Sequence, residues 1–197
     1  MRAETVWQLV ARLCPDGVPY RKLGEVCESI CSGGTPSTMH SEYYGGTIPW
    51  LRTQEVDWTD VYDTAVKITE AGLANSSAKL IPANCVIVAM YGATAAKVCI
   101  NKIPLTTNQA CCNLKVDETK VMHRYVYHWL CKNYEVIKSM GEGSQNNINA
   151  KKIKTFPIPV PPPEVQREVV RILDEFNAAT ATLLSLLRQE LVARRKQ

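Results

Sequence analysis

The run "TFPIPVPPPEVQREVV", Thr155–Val170, decides how this chain of 197 residues divides. It sets five prolines within residues 157–163 and then turns abruptly helix-friendly. Each proline holds φ near −65° and lacks an N–H, which bars this stretch from a central strand or a helix interior. With Ile158 and Val160 between them, the prolines are expected to form a stiff, extended strap. Pro163 stands where a helix accepts proline, in its first turn, and Glu164 suits the positive end of its dipole. A single long helix is therefore predicted over 164–197. Along it Val165, Val169, Ile172, Phe176, Ala179, Leu183 and Leu186 recur by alternating steps of four and three, as in a coiled-coil seam. About 32 residues at ~1.5 Å each make a rod on the order of 48 Å long. A domain of this size cannot cover such a length, so the seam is expected to pair with a second long helix. The alternative is a terminal helix folded back on its own core. Glu190 breaks the seam near the end, so tight pairing is expected to fade before the basic "ARRKQ".

Upstream of the strap the pattern changes. Val6, Leu9, Val10 and Leu13 lie at helical spacing, so residues 1–19 are predicted to be a short helical segment ending at the turn signal "CPDG". Residues 20–156 read as one domain of short strands separated by polar loops. "KLGEVCESI", "TIPWLRT", "NCVIVAMYG" and "NQACCNLKV" are strand candidates, with "AAKVCI" a hairpin partner for the third. "ETKVMHRYVYHWLCKNYEVIKSMG" is predicted as one helix capped near Asp117 or Thr119, with Gly141 just past its end. Val126, Trp129, Leu130, Tyr134 and Ile137 form its expected buried stripe. "AKKIK" after it reads as a basic joint.

Charge is unevenly placed. The net charge of +4 arises entirely from residues 151–197, because residues 20–150 hold 12 basic and 12 acidic side chains. Among the eight cysteines, Cys85, Cys99, Cys111 and Cys112 fall in apolar strand-like runs, where cysteine behaves as a small hydrophobe. There is no C-x-x-C, and His40, His123 and His128 make no metal-ligand spacing with the thiols. Free thiols in a reducing cytoplasm are expected, with no metal and no cofactor. No signal-peptide core and no apolar run near ~20 residues is present, so no membrane association is expected.

The sequence lacks a dinucleotide-binding glycine motif, a P-loop and H-E-x-x-H. "GEGSQN" follows a helix, and "GATAAK" lacks the G-K-[ST] ending, so catalysis by this chain alone is not expected. Instead, "SGGTPSTMHSEYYGGT", "LRTQEVDW" and "GEGSQNNIN" carry a high density of uncharged hydrogen-bonding groups, with "MYGATAAK" a possible fourth loop. Such side chains read base edges in the major groove, although they are also ordinary turn formers. The candidate base readers are Ser37, His40, Tyr43, Arg52, Thr53, Gln54, Gln145, Asn146 and Asn147. Lys97 and Lys152 are candidate phosphate contacts. The alternative for Arg52 is a surface ion pair with Glu55 or Asp57. Phosphate neutralisation dominates DNA affinity, so a neutral domain of this kind is expected to bind double-stranded DNA weakly without a partner.

"PDGVPYRKLGEVCESICSGGTPS", "GGTIPWLRTQEV", "GATAAKVCINKIPLTTNQACCNL" and "GEGSQNNINAKKIKTFPIPVPPPEVQREVVRILDEF" occur in this order. Together they resemble specificity subunits of type I restriction–modification systems, over nearly the whole chain. The resemblance implies an α/β fold: a target recognition domain with an irregular short-stranded sheet and helices, followed by one long coiled-coil-type helix. It further implies a non-catalytic subunit that tells a partner methyltransferase and a restriction–translocase subunit which DNA to act on. Family members usually hold two recognition domains and two spacer helices, whereas this sequence has one of each. It is then a natural half-subunit, which implies a homodimer, or the front half of a longer one. A free-standing dimeric DNA-binding regulator and a protein-interaction module are the competing readings of the residues alone.

Overall fold

The computed structural model describes residues 4–142 and 147–194. The chain opens with helix α1 (Val6–Leu13). Thr5 and Gln8 close its first turn reciprocally: the Thr5 hydroxyl accepts from the Gln8 N–H, and the Gln8 carboxamide oxygen accepts from the Thr5 N–H. Strands β1 (Tyr20–Lys22), β2 (Cys27–Ser32), β3 (Tyr44–Leu51), β4 (Asp60–Val61) and β5 (Lys67–Ile68) follow. Next come helix α2 (Glu70–Ala74) and strands β6 (Val86–Ala89), β7 (Val98–Asn101), β8 (Thr106–Thr107) and β9 (Cys111–Val116). Helices α3 (His123–Lys132), α4 (Tyr134–Ser139) and α5 (Ala150–Thr155), strand β10 (Pro157–Pro159) and helix α6 (Pro163–Arg194) complete the order. The chain is thus mixed α/β with a long final helix.

Backbone contacts group these elements into two units, Val18–Val160 and the paired segments up to Gly17 and from Pro161. In the first unit a five-stranded sheet runs in the order β2-β9-β6-β7-β4, antiparallel except for the β4–β7 pair. A three-stranded sheet, β5-β3-β8, lies beside it. The alternation of side chains along a strand explains the core. Register places Cys31, Asn113, Ile87 and Cys99 in one row across the larger sheet. Cys85, Ala89 and Cys111 share that face, and Leu51, Val56, Val61, Ile81 and Leu105 pack onto it. The thiols are core groups, as their apolar runs predict. All eight cysteines are free, and Cys85, Cys99, Cys111 and Cys112 are buried. Burial pushes the Cys85 and Cys112 thiols up to about 12 and Cys99 well above its ordinary value, because a thiolate there would lack solvation.

The proline strap divides at Val160. Pro157, Ile158 and Pro159 pair with Lys22, Arg21 and Tyr20 in a two-stranded antiparallel ladder, and Val160 N–H donates to the Pro19 carbonyl at 2.8 Å. A two-stranded ribbon consists of edges, where missing N–H groups are tolerated. Ile158 is fully buried.

The single helix expected from about residue 119 to 140 is a turn and two helices. The Asp117 carboxylate accepts from the Thr119 N–H at 3.1 Å and its hydroxyl at 2.6 Å, a local bond that competes with helix geometry. Helix α3 therefore starts at His123, six residues after Asp117. It stops at Asn133, whose side chain donates back to the Trp129 carbonyl at 2.7 Å before α4 begins. Val126, Leu130 and Ile137 are buried as expected, whereas Trp129 and Tyr134 remain partly exposed. The supposed basic joint is α5, capped by Asn149, which accepts from the Lys152 N–H at 3.0 Å.

In the second unit α1 packs against α6. Helix α6 spans 32 residues and begins at Pro163, as the proline argument requires. Val165, Gln166 and Val170 are its buried residues, and Gln166 Nε2 donates to the Pro161 carbonyl at 2.8 Å. From Glu175 to Arg194 every residue is exposed, the seam residues Phe176, Ala179, Leu183 and Leu186 included. Among the described residues no helix is long and apolar enough to cross a membrane.

Candidate nucleic-acid interface

Antiparallel order brings several loops to one end of the five-stranded sheet. Strand β2 ends there, β9 begins there, and the turn from β6 to β7 lies between their neighbours. Asn108 N–H donates to the Leu51 carbonyl at 2.9 Å, so the end of β3 arrives at the same place. Met90 N–H donates to the Ala110 carbonyl at 2.8 Å, and Ile148 N–H to the Met90 carbonyl at 3.0 Å. The loops containing Thr35, Arg52–Gln54, Tyr91–Lys97, Asn108–Ala110 and Asn147 are thus tied, backbone to backbone, into one surface. Loops on a rigid sheet are the usual carriers of recognition.

Arg52, Thr53 and Gln54 follow the buried pair Trp50 and Leu51 into a single 3-10 turn. The Thr53 carbonyl accepts from the Thr94 hydroxyl at 2.7 Å, fastening this turn to the β6–β7 tip. Gln54 is exposed and Thr53 is half-buried. Arg52 Nε sits 3.4 Å from the Glu55 carboxylate, which is the alternative reading of that residue. Asp57 instead holds Lys97, at 2.6 Å. Lys152 lies 2.5 Å from Glu142 and also donates to the Met140 carbonyl. The candidate cations are therefore each matched by an acid: Arg52 and Lys97 within the charge-balanced residues 20–150, and Lys152 by Glu142 from that stretch.

Asn147 exchanges backbone hydrogen bonds with Glu142, at 3.0 and 2.9 Å, and its buried side-chain oxygen has no hydrogen-bond partner among the described residues. Gln145 and Asn146 lie outside the described residues. Ser37, His40 and Tyr43 are placed differently. The His40 and Tyr43 rings stack at 4.8 Å, and His40 Nδ1 lies 2.8 Å from Glu42. The Tyr43 carbonyl accepts from the Thr69 N–H at 2.9 Å, which anchors this cluster at the start of β3, eight residues from Arg52 along that strand. The structure brings Arg52–Gln54, Lys97 and Asn147 together and keeps His40 and Tyr43 at the start of β3, with Ser37 on the loop that joins that cluster to Thr35.

The same surface carries Thr35, Tyr91 and Thr94, from loops that the sequence singled out without naming these residues, and Gln109, from a loop that it did not single out. The polar turn "TTNQ" between two apolar runs was the signal for Gln109. Among the described residues no group of three His, Cys, Asp or Glu side chains is placed to hold a metal ion.

Comparison with known proteins gives a consistent result. The sequence pattern of the type I restriction modification DNA specificity domain matches residues 15–192. The chain is 32% identical to the EcoR124I/EcoR124II specificity subunit of Escherichia coli over 189 residues, 91% of this chain and 46% of that protein. It is 29% identical to the MjaIX specificity subunit of Methanocaldococcus jannaschii, covering 83% of this chain and 38% of that protein. The chain thus spans about half the length, or less, of these relatives. Among solved structures, the HsdS subunit from Thermoanaerobacter tengcongensis superposes with a TM-score of 0.66 at 20% identity, over 92% of this chain and 44% of that one.

Proposed function

We propose that this chain, which belongs to the type I restriction modification DNA specificity family, reads one half of a bipartite DNA site for a modification and restriction complex. The observation that carries the reading is the convergence of uncharged polar loops on one end of a rigid sheet. Side chains so mounted reach base edges without the flexibility that blurs discrimination, and each good bidentate contact is worth about 1–3 kcal/mol. The paired cations leave little charge for phosphates, so affinity comes largely from the assembled complex. A methyltransferase subunit, a restriction–translocase subunit and double-stranded DNA are the partners, in the cytoplasm, and the chain contributes no chemistry or cofactor of its own.

Helix α6 supplies the assembly surface in this reading. Its seam, Val169, Ile172, Phe176, Ala179, Leu183 and Leu186, pairs with a second copy; Val165, the first of the spaced positions, is instead buried within the chain itself and is not available to a partner. Two recognition units joined by rods of on the order of 48 Å then read half-sites separated by roughly 14 base pairs at ~3.4 Å each. Leu173, Leu184, Leu187 and Leu191 form a second exposed stripe beside the seam, so the apolar face is broader than one partner helix covers. That width favours helices from a further subunit on the same rod.

Co-expression with an adenine methyltransferase from the same host, followed by mapping of methylated bases, tests the reading. A bipartite methylated motif that depends on this chain supports it. Methylation unchanged by deleting the chain, with no co-purification, refutes it.

A further inference from the structure

We infer that Gln109 is a base-reading residue, oriented by Thr35 for an adenine in the major groove. The inference rests on the DNA-recognition reading above and deepens it. Thr35 and Gln109 are separated by 74 positions in sequence and both are exposed, yet the Thr35 hydroxyl donates to the Gln109 side-chain oxygen. Exposed side chains meet in this way when both backbones are held.

Both backbones are held. A Cβ on Gly33 would lie 2.1 Å from the Thr107 carbonyl oxygen, so this position accepts only glycine and the two backbone segments touch directly. Gly34 N–H donates to that carbonyl at 2.9 Å, and the Gly34 carbonyl accepts from the Trp50 indole at 2.9 Å. On the far side of Thr35, the Pro36 carbonyl accepts from the Tyr44 hydroxyl at 2.6 Å. Gln109 sits between Asn108, which bonds the end of β3, and Ala110, which bonds Met90. It therefore lies between the Arg52 turn and the β6–β7 tip, at the centre of the sheet-end surface.

The chemistry follows from the amide. Free glutamine can rotate its carboxamide by a half turn and exchange donor for acceptor. A hydroxyl donating to the oxygen holds that oxygen on the Thr35 side and turns the NH₂ away. The oxygen keeps a second lone pair. Together they form the donor–acceptor pair that matches adenine, with NH₂ to N7 and the oxygen accepting from N6–H. Gln109 makes the base contact, and Thr35 is a positioning residue.

Selection of bound duplexes from a randomised pool by the full chain, alone and with a co-expressed methyltransferase subunit, tests this, with binding then measured on the enriched site and its single-base variants. The expected result is a motif in which Gln109→Ala removes the preference for one adenine, a loss of about 5- to 150-fold in discrimination at that base pair alone. Thr35→Val keeps the shape, lacks the hydroxyl and weakens the same preference; Thr35→Ser restores it. Thermal midpoint and salt dependence of non-specific binding stay at wild-type values in all three variants. An unchanged motif in Gln109→Ala overturns this inference and leaves DNA recognition standing. Equal loss at every position assigns the pair a structural role and overturns it as well. A wild-type chain that enriches no motif, alone or with a methyltransferase subunit, overturns the DNA reading and this inference with it.

Discussion

Glu55 is the residue on which the Arg52 prediction turns. One carboxylate oxygen accepts from the Arg52 N–H at 3.3 Å and faces its side chain at 3.4 Å, while the other accepts from the Ala65 N–H at 2.8 Å. The pair is long and only part-exposed, whereas a bidentate contact with guanine is worth about 1–3 kcal/mol of discrimination between bases. Glu55 keeps the Ala65 N–H as a partner when Arg52 turns to a base. Arg52→Ala or Gln54→Ala is expected to cost about 1–3 kcal/mol on the cognate site and to relax one position of the methylated motif. Lys97→Ala and Lys152→Ala are expected to weaken binding to every sequence alike and to flatten its salt dependence, as phosphate contacts do. Titration against duplexes of differing sequence and salt separates the two behaviours. The buried thiols make a second residue-scale prediction. Cys85, Cys99, Cys111 and Cys112 are expected to resist a thiol reagent in the native protein, and all eight cysteines to react in denaturant without reductant.

At the scale of elements, the turn between β9 and α3 depends on one carboxylate. The Thr119 hydroxyl, then Lys120, hold Asp117 down at about 2 against an ordinary value of 3.8. A depressed carboxylate stabilises the fold above its unfolded value and loses that contribution as pH falls toward the folded one. The contribution of Asp117 is therefore complete above about pH 4 and is lost between there and about pH 2. Asp117→Asn is expected to lower the thermal midpoint at neutral pH, with the gap to wild type closing across that window. Thermal melts at a series of pH values measure it. An equal gap at every pH would assign the effect to shape and not to charge.

For the whole molecule, the exposed seam of α6 predicts self-association. A chain ending at Val160 is expected to sediment as a smaller species than the full chain. The full chain carrying Phe176→Glu and Leu183→Glu is expected to do the same, because a charge in an apolar seam is not matched across a symmetric pair. Equal sedimentation of all three would remove α6 as the dimer element. Loss of the second, leucine-rich stripe by Leu184→Glu and Leu187→Glu is expected to spare self-association and reduce co-purification of a methyltransferase subunit.

Local chemistry was legible in the sequence. Proline's fixed φ placed the strap and, within one residue, the start of α6, heptad spacing marked apolar positions of α6 that are exposed from Ile172 onward, and apolar runs around cysteines marked core strands. Each is a property of neighbours within a few residues, where propensity and periodicity act. The helix expected across residues 119–140 failed for the same reason at finer grain, since Asp117 and Asn133 bond their own backbone and outweigh an otherwise helical pattern. The candidate recognition surface was legible only in parts. Gln54 and Arg52 stood out beside an apolar anchor, but Gln109 did not, because its partner is distant in the chain. Strand order decided that Thr35, Arg52, Tyr91 and Gln109 share one end of a sheet and that His40 and Tyr43 do not. Register and the direct contact at Gly33 are long-range facts, and no window of sequence contains both sides of them.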